Sequence, residues 1–146
     1  MLVTGDTGCV DFWDKKAKQY YPKLINAVND LHVAQVAHHA GNNHRFYDVL
    51  EQSGFAGGSV PGSYLLLSHA DQDKYRPSPA FGTFISNISS GSGSFELLTT
   101  SQPDSAKIAA YRQYYHFATS TAQNVGDVRL FFQYGTWKID QHLVQV

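Results

Sequence analysis

The chain has 146 residues, 42% of them hydrophobic, and a formal net charge of −1. That length suits one domain able to bury a core without disulfide staples, and the hydrophobic share excludes wholesale disorder. Charged residues make up only 16%, and the eleven basic ones are spread from Lys15 to Lys138, so the dense cationic footprint of a nucleic-acid or anionic-membrane binder is missing.

Polarity comes instead from uncharged side chains: Ser, Thr, Asn and Gln total 37. Such a surface suits a subunit that packs against copies of itself or lies outside the cell. Cys9 stands alone, which excludes an intrachain disulfide framework. No apolar run approaches the length of a membrane span.

Residues 1–10 read as a flexible lead into a single domain covering 1–146. They show neither the basic n-region nor the sustained apolar h-region of a signal peptide. Asp11 is placed to cap a helix over "FWDKKAKQYY", and Pro22 either ends it or opens the next one. From Leu24 to Ala40 the spacing of Leu24, Ala27, Val28, Leu31 and Ala34 predicts an amphipathic helix, stopped by Gly41 as a left-handed cap. Asn42 or Asn43 then caps "HRFYDVLEQS", ended by Gly54. "GFAGGSVPG" is a glycine-rich loop without the lysine of a phosphate cradle.

"SYLLLSH" reads as a strand. Pro77 and Pro79 exclude helix and central strand from the loop around them. "AFGTFISNIS" and "SFELLTT" look like two strands of a hairpin joined by "SGSG". Ser101, Pro103 and Asp104 start a further helix carrying Ile108, Tyr111 and Tyr115 on one face. The chain closes with two strands around a Gly-Thr turn. The expected class is α+β: N-terminal amphipathic helices packed on an antiparallel sheet of about five strands, with one further helix before a C-terminal hairpin.

Three of the seven histidines fall within "VAHHAGNNHRF". On a helix, chelation needs spacings of three or four residues. His32 and His39 are seven apart, and His38 and His39 diverge by about 100°. The spacing therefore favours helix-end residues that interact with the dipole. Only His39 with His44, beyond the glycine, keeps the freedom to share an ion.

No nucleotide-binding, nucleophile-elbow or calcium-loop motif occurs. The acid–base candidates are His69 with Asp71, at the end of a strand, and His116. Trp13, Tyr20, Tyr21, Tyr114 and Phe117 are the candidate interface aromatics. No cofactor is expected.

The segment "DLHVAQVAHHAGNNHRFYDVLEQSGF" resembles the helix-to-loop region of type IV pilin and pseudopilin globular domains, without the apolar N-terminal helix that filament assembly requires there. "FFQYGTWKIDQHLVQV" resembles the final strands of cone-shaped nuclear-transport-factor-like domains, whose curved sheet encloses a pocket. Two functions follow as expectations. One is a non-catalytic, self-assembling surface or extracellular subunit, pilin-like or virion-like, whose partner is itself. The other is a cone-shaped pocket domain that binds a small ligand or performs acid–base chemistry.

Overall fold

The computed structural model describes residues 1–4, 21–55, 63–68, 73–90, 95–99 and 128–141. Helix α1 spans Tyr21–Ala27, with Pro22 in its first turn, where the missing N–H costs nothing. The chain then turns at Asp30, whose φ is 56°, and enters strand β1, Val33–Gln35. Helix α2 is His44–Gln52, strand β2 Ser63–Leu67, helix α3 Pro79–Ser89 and strand β3 Phe95–Thr99. A hairpin of β4, Val128–Gln133, and β5, Thr136–Gln141, follows.

β1, β2 and β3 lie side by side in that order, all parallel. Ala34 aligns with Leu65, and Leu65 with Leu97. Leu2 extends the sheet beyond β1: its N–H donates to Val33 O at 2.8 Å, and Gln35 N–H donates to Leu2 O at 2.9 Å. β1 is thus an interior strand, and both Val33 and Ala34 are fully buried although they face opposite ways.

Helices α2 and α3 pack on each other. They also cover the sheet face that carries Ala34, Leu65, Leu67, Phe95 and Leu97. Tyr47 of α2 stacks on Phe84 of α3, with ring centroids 5.1 Å apart and planes 18° apart. That geometry adds a little to a burial worth roughly 1.5–3 kcal/mol per large apolar side chain. α2 ends in a Schellman motif: Phe55 N–H reaches Leu50 O, Gly54 N–H reaches Glu51 O, and Gly54 takes φ 77°. Phe55, just past it, is buried in the core.

These findings correct the expected fold. The main sheet is parallel and three-stranded, and the only antiparallel pairing among the described residues is the separate β4–β5 hairpin. The helix expected over Leu24–Ala40 stops at Ala27. A strand buried on both faces carries a continuous apolar run with no alternation, so "VAQVA" fits a helical stripe equally well.

"AFGTFISNIS" is α3 and not a strand. Phe81, Phe84, Ile85 and Ile88 repeat at helical spacing and are all buried. Pro79 does not exclude the helix, since it occupies the first turn behind the cap Ser78. The "SGSG" hairpin disappears with its first arm, and β3 pairs with β2 instead. The last turn centres on Tyr134 and Gly135, both at positive φ, one residue before the expected Gly-Thr. The expected helices over 12–21 and 101–122 lie outside the described residues, apart from Tyr21, which belongs to α1.

Candidate functional site

At the carboxyl end of β1 the chain makes a tight turn over Ala37–Ala40. His38, His39 and Ala40 lie in the left-handed region in succession, with φ of 52°, 51° and 62°. L-residues enter that region at a cost of roughly 1–2 kcal/mol each, normally one at a time. Gly41, the expected left-handed cap, is extended at φ −65° and ψ −179°. It is glycine for another reason. A Cβ there would stand 2.8 Å from His38 Cδ2 and 3.0 Å from His38 O.

Hydrogen bonds from several elements fix this turn. Gly41 N–H donates to His38 O at 2.9 Å, closing it. Gly41 O accepts from Tyr47 Oη of α2 at 2.8 Å and from Ser78 Oγ at 2.9 Å. Ser78 N–H donates to Ala40 O at 2.8 Å, and Ser78 Oγ also accepts from Phe81 N–H at 3.3 Å as the cap of α3. One serine thus starts α3 and ties it to the turn.

The two imidazoles of the turn have different tasks. His39 Nδ1 lies 2.8 Å from Ser68 O, just past β2. A carbonyl only accepts, so Nδ1 carries the hydrogen. His38 Nε2 lies 2.6 Å from Arg76 Nη2. A guanidinium only donates, so Nε2 accepts and the neutral ring holds its hydrogen on Nδ1.

Arg76 Nη1 pairs with Asp73 Oδ2 at 3.3 Å. Tyr75 N–H donates to Asp73 Oδ1 at 2.8 Å and Arg76 N–H to the same oxygen at 3.1 Å. The Tyr75 N–H, then the Arg76 N–H and guanidinium, hold the Asp73 carboxyl below its ordinary range, against a smaller opposing effect of burial. The peptide bond between Arg76 and Pro77 is cis.

These parts wall an open cleft of about 640 Å³. Its lining comes from the β1 turn and the start of α2 (His38, Gly41, Asn42, His44) and from the segment entering α3 (Tyr75 to Ala80 without Pro77, and Thr83). The volume falls within the roughly 300–1,000 Å³ of small-molecule sites. The position is the one where parallel α/β sheets bind ligands, outside the carboxyl ends of the strands.

The sequence-based candidates are distributed as follows. His44 opens on the cleft beside His38, not beside His39, whose ring turns to Ser68. Among the described residues no group of three or more His, Cys, Asp or Glu is placed to hold a metal ion. His38 and His39 do not end a helix. Tyr21 opens α1. Trp13, Tyr20, His69, Asp71, Tyr114, His116 and Phe117 lie outside the described residues.

Sequence reasoning missed Arg76, Ser78 and Tyr47. The Ser78-Pro79 pair is a cap followed by a first-turn proline, a signal that would have found Ser78. Nothing local marks Arg76 or Tyr47, which act on residues distant in the chain.

Fold and cleft together define a small parallel α/β domain with a ligand-sized opening at the carboxyl edge of its sheet. No protein-family model matches the chain, and no curated protein or solved structure is found to be similar to it. No helix among the described residues is long and apolar enough to cross a membrane.

Proposed function

We propose that the protein is a ligand-binding α/β domain that takes a small molecule in the cleft between the β1 turn and the start of α3. The observation that carries this reading is the run of three left-handed residues at that cleft. Strained backbone persists only where its surroundings over-determine it, and such strain clusters at functional sites. Here a hydrogen bond from His39 Nδ1 to Ser68 O, and hydrogen bonds from Arg76 and Ser78, supply that constraint.

The test is an NMR screen of a small-fragment library, followed through the resonances of His38, His44 and Thr83. The expected result is saturable shifts at those residues. Thr83 is exposed on α3, so Thr83→Trp should fill the cleft and abolish the shifts without altering the unfolding midpoint. A library that leaves the cleft resonances unmoved at millimolar concentration would overturn the reading.

A second reading, a self-assembling structural subunit, draws support from the hairpin. Phe131, Phe132 and Tyr134 are 41%, 62% and 88% exposed. Clustered exposed aromatics commonly mark protein interfaces. Light scattering on a size-exclusion column should then show an oligomer that Phe132→Ser with Tyr134→Ser reduces to a monomer. A parent protein that stays monomeric at high concentration would remove this reading.

A further inference from the structure

Independently of the cleft, we infer that the tip of the β4–β5 hairpin is a finger that attaches the protein to a lipid surface, entering it to headgroup depth. The first ground is the turn. Tyr134 and Gly135 are its two central residues, with φ of 52° and 77°. A two-residue turn at positive φ favours Asn or Gly in its first place, and a bulky side chain enters that region against its preference. Tyr134 stands there all the same, 88% exposed. The turn has no need of that ring, so something outside the hairpin accounts for it.

The second ground is the placing of the other rings. Residues that oppose each other across two strands share a face. Phe132 opposes Trp137, and their ring centroids are 5.4 Å apart. Phe131 opposes Lys138 on the other face. Both phenylalanines are exposed. A contact with a second copy, as the self-assembling reading has it, buries one face of such a sheet and leaves the other wet. It also draws on roughly 20–30 residues a side, against the nine from Leu130 to Lys138. Rings on both faces and at the turn suit a medium that surrounds the tip.

The third ground is charge. Leu130 to Lys138 includes one charged side chain, Lys138, whose Nζ lies 5.7 Å from the centroid of the Tyr134 ring. An ammonium beside the turn is placed to meet lipid phosphate while the rings enter below it. Tyr and Trp settle at that level of a bilayer, ring in the apolar boundary and polar tip in water. The strand edges limit the depth. Among the described residues β4 and β5 pair only with each other, and an unpaired edge does not enter hydrocarbon. With a single cation at the tip, the attachment is apolar in origin and needs no anionic lipid.

Co-sedimentation of the full chain with phosphatidylcholine vesicles tests this. The protein should pellet with them equally at low salt and at about 1 M salt, where charge attraction is screened beyond roughly 3 Å. Tyr134→Asn should weaken binding about tenfold, the loss of one large ring from an apolar medium. The same change suits the turn, so the unfolding midpoint should rise or stay level, and lost binding is then not lost folding. Phe131→Ser and Phe132→Ser, one on each face, should each weaken binding too. Trp13→Phe leaves Trp137 as the only tryptophan. Lipids brominated near the headgroup should quench it more than lipids brominated at the bilayer centre. A protein that stays in the supernatant, binding that needs anionic lipid or disappears in salt, or binding indifferent to Tyr134→Asn or to either phenylalanine would overturn the inference. Oligomers that dissociate on Phe132→Ser while vesicles are ignored would overturn it as well, and assign the rings to a second copy.

Discussion

Gly41 shows how one residue can be fixed by a neighbour's strain. His38, His39 and Ala40 occupy the left-handed region, which folds the His38 ring back over Gly41. Any Cβ at position 41 meets both that ring and the His38 carbonyl. Gly41→Ala should therefore cost about 1–3 kcal/mol, as overpacking does, read as a lower urea midpoint. His38→Ala combined with Gly41→Ala should recover part of the loss, because only the ring contact is relieved. A Gly41→Ala midpoint equal to the parent's would refute this account of the turn. Asp73 gives a second prediction. Hydrogen bonds from Tyr75 N–H and then Arg76 hold its carboxyl below the ordinary 3.8. Its contribution to stability is thus present above that value and is lost as pH falls through the lower folded-state value. Asp73→Asn should be less stable than the parent at pH 6, with the gap closing as the pH approaches 3; a gap independent of pH would assign Asp73 a purely neutral role. At this scale the sequence drew attention to the histidines but misread their backbone. Helical periodicity put His38 and His39 at a dipole, whereas Arg76, 38 residues away from His38, decides what that ring does.

Among the elements, α3 depends on both its cap and its partner helix. Ser78 caps it, Pro79 opens its first turn, and Phe81, Phe84, Ile85 and Ile88 bury its inner stripe. Its outer edge meets α2 where Asn87 Nδ2 donates to Glu51 Oε1 and Oε2 at 3.2 and 3.1 Å. Desolvation is the larger influence on Glu51: it raises the carboxyl above the ordinary 4.5 against the Asn87 bond, and Asp48 adds to the rise. A raised folded-state value reverses the sign found for Asp73. The benefit is complete below 4.5 and disappears as pH rises through the folded value. Glu51→Gln keeps an acceptor for Asn87 and removes the charge, so at pH 7 it should be as stable as the parent or slightly more so. Below pH 4 the two should coincide. A clear loss at pH 7 in thermal unfolding would show that the charged form is what holds α2 to α3. Helix α2 was legible in the sequence because its stripe and Gly54 stop are local signals. α3 was not, because a proline pair read as a breaker masked a serine cap.

Topology is the scale at which the sequence was least legible. β2 and β3 were marked as strands by short apolar runs, yet such runs do not name their partners. Parallel pairing requires a crossover of a dozen or more residues, so β1 meets β2 only through α2, and β2 meets β3 only through α3. Reading β1 as part of a helix hid the first crossover, and reading α3 as a strand turned the second into an antiparallel meander. The parallel arrangement makes a specific demand on Leu65. It is the middle residue of the middle strand, fully buried, aligned with Ala34 and Leu97 on the face that α2 and α3 cover. Leu66, next to it, points to the opposite face and is half-buried. Leu65→Ala should lose about 2–5 kcal/mol, a large share of the roughly 5–15 kcal/mol that stabilises a domain. Leu66→Ala should lose clearly less, since fewer atoms leave water there. Urea unfolding of the two variants checks the prediction. Equal losses would place the principal core elsewhere, because only a sheet with α2 and α3 packed on the Leu65 face makes adjacent leucines of one strand so unequal.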